Sequence, residues 1–159
     1  MKNLNTKTYD YNFIEASSKV KDLESIKYEI IKIKVDKASS STSVRENIYR
    51  IFEKESYILK PAIGQSSRLT ISAVSRKKEI GVCIQLGNAS RLYADLIKLQ
   101  YMYDKKYIKK AIFICFTREH AKEFKYQNIV SFERAVDEVN IFKSIINVPI
   151  HFIGLDTLF

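Results

Sequence analysis

The sequence predicts an α/β fold with a central mixed β-sheet flanked by helices. Three observations carry this prediction. An amphipathic helix precedes three strand-like segments, and a second helix and a further strand follow them. Residues 79–86 have the pattern of a strand buried on both faces, and the apolar run 111–116 is short enough for a central strand. Strands and helices in this order are typical of layered α/β proteins.

The N-terminal part gives the weakest pattern. We expect residues 1–16 to form a loosely ordered arm and residues 17–25 to be helical, while residues 27–35 carry a signal that leaves helix and strand open. The Ser- and Thr-rich residues 38–42 are predicted to be a linker. The regular core is therefore expected over residues 43–155 of one domain spanning residues 1–159.

The first core helix is predicted from a capping box and an apolar face. Ser43 and Glu46 have the spacing at which a serine caps a helix and a glutamate reaches back to it. The helix should end near Glu55. Its apolar side chains recur at helical spacing, namely Val44, Ile48, Ile51 and Phe52.

Three strands should follow this helix. Residues 57–59 form a short first strand, residues 64–67 a turn and residues 68–74 a second strand. The basic turn 75–78 then leads into the third strand, residues 79–86.

The remaining elements alternate between helix and strand. A helix is predicted after Asn88, because Leu92, Leu96, Leu99 and Tyr103 stay in register. After the strand 111–116, Thr117 is predicted to cap a short helix to residue 125, and Ser131 a longer one to residue 147. Residues 149–154 are the last predicted strand.

Bulk composition narrows the function classes. The 159 residues carry a formal charge of +9, which favours an anionic partner, most commonly nucleic acid. No apolar run approaches a membrane span, and the polar N-terminus lacks a secretory signal, so we expect a cytoplasmic protein without a membrane partner. The two cysteines, Cys83 and Cys115, lie in apolar runs and are expected to be reduced.

One motif gives a more specific indication. The strand ending Cys83-Ile84-Gln85-Leu86 continues into a Gly87-Asn88 turn and then a helix containing Tyr93-Ala94-Asp95-Leu96. This pattern resembles the BamHI/BglII-type restriction endonucleases of the PD-(D/E)xK nuclease superfamily. The resemblance covers roughly residues 43–155 and implies a restriction-endonuclease-like three-layer fold.

The resemblance also implies a magnesium site that this sequence only partly retains. The family's strand glutamate corresponds to Cys83, its second-strand aspartate to Ser72 or, after a slip of two residues, Thr70, and Gln85 matches the end of a Glu-x-Gln site. Mg²⁺ prefers carboxylate oxygens, whereas a thiol suits softer metals. An acid on the first helix, Glu46 or Glu53, is the candidate replacement. We therefore take Ser72, Cys83, Gln85 and Glu46 as positions of a degenerate catalytic site without a bound metal.

Other chemistry-bearing residues have simpler interpretations. Cys83 is more often a small core residue than a nucleophile, and only the fold could pair it with His120 or His151. Asp95 is expected to pair with Arg91 or Lys98 on its own helix. The tyrosines between residues 101 and 107 are more often packing than base-stacking residues.

Three functions remain open at this stage. The first is a catalytically degenerate restriction-endonuclease-like domain that binds DNA, with Arg76, Lys77, Lys78, Arg91 and Lys98 as nucleic-acid-binding candidates. The second is an active Mg²⁺-dependent endonuclease with migrated acids. The third is a nuclease fold used as a protein-interaction module, such as an immunity protein that neutralises a toxin. BamHI-like enzymes are homodimers, so the resemblance also makes a homodimer a candidate assembly.

Overall fold

The computed structural model describes residues 1–13 and 21–157. Helices alternate with strands along most of this part of the chain. The elements are β1 (Lys2–Tyr11), α1 (Lys21–Ile30), β2 (Lys34–Val35), α2 (Ser41–Lys54), β3 (Ile58–Leu59), β4 (Ala73–Ser75), β5 (Ile80–Ile84), a 3₁₀ turn (Ala89–Arg91), α3 (Leu92–Asp104), β6 (Lys110–Phe116), α4 (Arg118–Glu123), α5 (Phe132–Ile141) and β7 (Ile150–Thr157).

The strands of the described residues form one mixed sheet. Their order is β2-β1-β7-β6-β5-β4-β3. The three central strands β5, β6 and β7 are parallel and are joined through helices, whereas the pairs at both edges are antiparallel. The predicted α/β class with a mixed sheet is therefore confirmed.

Helices cover both faces of the sheet. Successive residues of β5 point to opposite faces, so that Val82 and Ile84 pack in a core with α1 and α2, while Cys83 packs in a second core with α3 and α5. This arrangement gives the predicted three layers. None of the described helices is both long and apolar enough to span a bilayer.

The expectation of a loosely ordered N-terminal arm is wrong for residues 2–11. Residues 2–11 form strand β1, which pairs antiparallel with β7 from Leu4 opposite Thr157 to Tyr11 opposite Ile150. Leu4 and Tyr11 are the only fully buried residues of this strand. Because the pairing partner lies about 140 residues away in the chain, the polar sequence of β1 carried no local signal. Of the expected helix 17–25, residues 17–20 lie outside the described part.

Helix α2 begins three residues earlier than predicted. Ser40, rather than Ser43, is the N-cap, and its hydroxyl oxygen accepts a hydrogen bond from the Ser43 N–H at 3.1 Å. The predicted apolar face is confirmed, since Val44, Ile48, Ile51 and Phe52 are all buried. The ambiguous segment 27–35 divides into the end of α1 and the short strand β2.

The second predicted strand is shorter than residues 68–74. Regular pairing begins only at Ala73, although Thr70 forms an isolated bridge with Ala62. Just before β4, the Ser72 side chain replaces a main-chain acceptor, because its Oγ accepts the Ile84 N–H at 2.8 Å. This side-chain contact interrupts the regular backbone pairing between β5 and the segment before β4.

The predicted caps at Thr117 and Ser131 are confirmed. Helix α5 ends at Ile141 instead of residue 147, and the chain then turns, with the Ile145 and Ile146 N–H groups donating to the Phe142 carbonyl oxygen. The Gln100 side chain accepts hydrogen bonds from the Asn147 and Val148 N–H groups.

Candidate functional site

The pairing of β4 with β5 brings three of the four predicted catalytic positions near one another, namely Ser72, Cys83 and Gln85. Ala73 pairs with Val82, so the same antiparallel register places Ser72 opposite Cys83. The Ser72 N–H donates to the Val82 carbonyl oxygen at 2.9 Å, and its hydroxyl accepts the Ile84 N–H. Ser72 is therefore bound to the backbone of β5 on both sides of Cys83.

Cys83 is enclosed in the core beneath α3. Its side chain is buried, and burial, together with the negative charge of Asp95, raises the pKa of the thiol well above its ordinary value. The neutral thiol is neither a nucleophile nor a metal ligand, because both roles require the thiolate.

The two histidines lie across the sheet from Cys83. His120 is stacked between Phe116 and Phe124, which belong to or pack against the core on the α1 and α2 side. His151 hydrogen-bonds to Asp10 and alternates along β7 with Phe152, which points to the α3 side. The sheet therefore separates both imidazoles from Cys83, and no Cys-His pair forms.

Gln85 connects the end of β5 to helix α3. Its Nε2 donates to Asp95 Oδ2 at 2.7 Å, and its Oε1 accepts the Gly87 N–H at 3.3 Å. Lys98 Nζ lies 3.5 Å from the other carboxylate oxygen of Asp95. These contacts fix the turn between β5 and α3 and occupy both ends of the Gln85 amide.

The sequence analysis predicted only one of the two side-chain contacts of Asp95. It pairs with Lys98, one of its two expected partners, but the described contacts include no ion pair between Asp95 and Arg91. The bond to Gln85 was not foreseen. A usable signal was present, because Asp95 lies three residues after Leu92 and four before Leu99, on the buried face of the helix.

A cleft of about 230 Å³ opens at the carboxyl end of β5. Side chains from α2, the segment before β4, the end of β5 and the start of α3 line it. The lining residues are Arg45, Tyr49, Lys60, Thr70, Ile71, Ser72, Ile84, Gln85, Gly87, Asn88, Arg91 and Asp95. Ser72, Gln85 and Arg91 were predicted from the sequence, whereas Arg45 and Lys60 were missed.

Positive charge dominates this cleft. Arg45, Lys60 and Arg91 face it, and among the described residues none of the three has an ion-pair partner. The Lys60 ammonium lies 5.3 Å from the centre of the Tyr49 ring, which helps to orient it. The cleft therefore favours an anionic ligand.

Arg45 occupies an unusual position at the wall of the cleft. Its Nε is buried and has no hydrogen-bond partner within the described part of the chain. A buried donor without a partner costs about 1–3 kcal/mol. A Cβ added at Gly87 would lie 3.1 Å from Arg45 Nη2, so the guanidinium packs closely against the Gly87 backbone.

The predicted helix acid does not reach the cleft. Glu46 is exposed on α2 and is absent from the cleft lining, as is Glu53. The neighbouring Arg45 and Tyr49, four residues apart, form the side of α2 that faces the cleft.

The predicted basic residues divide into three groups. Arg91 is exposed and lines the cleft, whereas Lys98 is buried against Asp95. The turn carrying Arg76, Lys77 and Lys78 lies at the amino end of β5, about 13 Å from the cleft end by strand length. The structure therefore does not unite the turn with Arg91 in one site.

The donor set does not fit the magnesium ion that the resemblance implies. At the expected ligand positions stand the Ser72 hydroxyl and the Cys83 thiol, and Asp95 is engaged by Gln85 and Lys98. The described residues also contain no group of three His, Cys, Asp or Glu side chains suited to a metal. Mg²⁺ requires hard oxygen ligands, usually including carboxylates.

Comparison with known proteins identifies the family of this chain. A search of curated proteins finds no match to the chain. The family model described as restriction endonuclease BglII/BglIII matches residues 12–155, which is most of the 159 residues. The chain belongs to the BglII/BglIII restriction endonuclease family.

Proposed function

We propose that this chain is a restriction-endonuclease-like domain that binds duplex DNA without Mg²⁺-dependent cleavage. One observation carries the proposal. The cleft lies beside the positions that the resemblance assigns to the catalytic site. Among the described residues, three cations without ion-pair partners face it, and its single carboxylate, Asp95, is already engaged by Gln85 and Lys98. Such a site attracts phosphate more readily than a metal ion.

The charge distribution supports DNA as the ligand. The chain carries a net charge of +9, and phosphate contacts by Lys and Arg supply most nonspecific DNA affinity. Arg45, Lys60 and Arg91 are the central contacts in this proposal. Arg76 and Lys77, exposed at the far end of β5, are candidates for additional contacts, while the buried Lys98 has a structural role.

The absence of cleavage follows from the chemistry of the donors. The Ser72 hydroxyl accepts a backbone hydrogen bond, Cys83 is held neutral by burial, and Glu46 lies outside the cleft. These observations support a catalytically degenerate relative that needs no cofactor. The buried free cysteines, Cys83 and Cys115, are compatible with a reducing cytoplasm.

An active endonuclease is the first alternative, and Asp95 is the observation in its favour. This carboxylate lines the cleft beside Gln85 and would become a metal ligand if it exchanged Gln85 and Lys98 for an ion. Magnesium would then be the required cofactor.

A protein-interaction module is the second alternative. Large apolar side chains are exposed at a groove between α3 and the segment that follows α5, notably Tyr93, Ile97 and Ile145. Clustered exposed apolar residues are typical of protein interfaces. A second copy of this chain or a toxin would be the partner, and Ile97→Lys should then weaken the assembly in sedimentation equilibrium without affecting DNA binding.

A single plasmid experiment tests the proposal. Purified protein is incubated with supercoiled plasmid and Mg²⁺ or Mn²⁺, and each sample is divided between a native gel and a deproteinised gel. We expect a retarded band on the native gel and intact supercoiled DNA on the other. Metal-dependent nicking that is lost in Asp95→Asn would instead establish the active endonuclease, and an unretarded plasmid would refute DNA binding.

A further inference from the structure

We infer that Arg45 binds a DNA phosphate directly and takes the place of a divalent cation in the cleft, so that DNA binding is independent of metal. This inference rests on the proposed DNA-binding function and identifies the residue and the ligand group at its centre. It differs from the metal-bridged contact that the donor positions of the family would supply.

The first support is the state of the Arg45 guanidinium. Its Nε–H is buried at the wall of the cleft and has no acceptor among the described residues. Arginine presents its donors as a planar fork that matches two phosphate oxygens. A phosphate in the cleft would meet the guanidinium and provide the missing acceptor once the side chain turns its Nε–H toward the cleft.

The second support is the environment that holds the guanidinium. Gly87 leaves the space that Arg45 Nη2 occupies, since an added Cβ would lie only 3.1 Å from that nitrogen. The Gly87 N–H is itself fixed by the Gln85 side chain, which Asp95 orients in turn. Asp95, Gln85 and Gly87 are thus linked by hydrogen bonds and fix the backbone beside the arginine.

The third support is the balance of charge around the expected phosphate. Lys60 and Arg91 line the same cleft, and Asp95, the only acidic residue of its lining within the described part of the chain, is paired with Lys98. Protein cations therefore supply the positive charge that Mg²⁺ supplies in a metal-dependent site. Added Mg²⁺ should act only as competing salt.

The experiment measures fluorescence anisotropy of a labelled duplex with the full chain, in EDTA and in Mg²⁺. Wild-type protein should bind in EDTA at least as tightly as in Mg²⁺. Arg45→Gln should weaken binding in EDTA about tenfold, as expected for one charge-assisted hydrogen-bonding group. Arg45→Lys should recover only part of this loss, because an ammonium keeps the charge but not the fork.

Two further variants control for fold and for general charge. Arg50→Gln removes an exposed arginine on the same helix, about 140° around its axis from Arg45, and should change affinity less than twofold. Gly87→Ala should displace the guanidinium and weaken binding several-fold with little change in melting temperature, since Gly87 has no positive φ that would strain alanine.

A spectroscopic readout reports the contact itself. The Nε–H cross-peak that disappears in Arg45→Lys identifies Arg45 in a proton–nitrogen correlation spectrum, and it should shift when duplex is added in EDTA. Tight wild-type binding with an unaffected Arg45→Gln variant, or binding that requires Mg²⁺, would overturn the role of Arg45 while leaving DNA binding intact. No wild-type binding at low salt in either buffer would overturn both proposals.

Discussion

The two ends of β5 both carry positive charge, but in different settings. At the carboxyl end, Arg45, Lys60 and Arg91 come from three separate segments and face one cleft. At the amino end, Arg76 and Lys77 project from a single turn into solvent. Exposed charges are weakly coupled and easily screened, whereas charges lining a cleft reinforce one another. A run of cations in sequence is therefore a poorer guide to a binding site than convergence in space.

The carboxyl end of β5 also contains buried polar groups that bind Asp95. Removal of this carboxylate should have the largest effect on stability. Asp95→Ala should lower the free energy of unfolding by about 3 kcal/mol, because it leaves Lys98 and the Gln85 amide buried without their partner. Urea denaturation monitored by circular dichroism measures the loss. Asp137→Ala, which removes an exposed carboxylate on α5, is the control and should change stability by less than about 0.5 kcal/mol.

The second prediction concerns His120 and uses pH to distinguish an effect on stability from an effect on DNA binding. Burial lowers the pKa of His120 from 6.5 to about 4. Below pH 6.5 the unfolded chain therefore gains this proton before the folded one does, so stability falls between pH 6.5 and about 4 and levels off below that range. The free energy of unfolding lost over this range is about 3 kcal/mol.

His120→Phe should remove this contribution while preserving the stacking with Phe116 and Phe124. The quantity to measure is the difference in unfolding free energy between wild type and variant across this pH range, since other groups titrate equally in both. Because the cleft contains no histidine, DNA affinity should follow the same pH curve in wild type and variant wherever both are folded. A pH-independent difference in stability would contradict the assignment.

The smallest of these effects concerns Gln85. Gln85→Ala should cost about 1–2 kcal/mol, since it removes the donor to Asp95 and the acceptor of the Gly87 N–H. If Gln85 orients the turn beside Arg45, the variant should also lose several-fold in DNA affinity. Melting curves of wild type and variant test the loss of stability, and anisotropy titrations test the loss of DNA affinity. A variant with normal affinity would show that Gln85 does not position Arg45.

Local patterns in the sequence predicted much of the fold. The apolar face of α2 and the caps at Thr117 and Ser131 depend on residues within two turns of one another, so spacing alone identified them. Strand β1 escaped prediction because its pairing with the distant β7, rather than an apolar pattern of its own, holds it in the sheet.

The site residues also differ in whether a local sequence pattern could predict them. Ser72, Cys83 and Gln85 were predicted together because they belong to a motif that the sequence shows, and the pairing of β4 with β5 places them near one another. Arg45 belongs to no motif, and its role depends on the packing of α2 beside the turn at Gly87. Lys98 was assigned to DNA from its charge. Its pairing with Asp95 was one of two expected pairings, but its burial could be seen only in the three-dimensional arrangement.

The salt dependence of DNA binding tests the central claim most directly. The logarithm of affinity should fall linearly with the logarithm of salt concentration, with a slope of about 0.9 per phosphate contacted. We predict that the Lys60→Gln/Arg91→Gln double variant reduces this slope by about two, whereas replacing Arg76, Lys77 and Lys78 together with alanine reduces it by less. The reverse result, a slope lowered by the turn variant and unchanged by the cleft variant, would contradict the assignment of the cleft as the DNA-binding site.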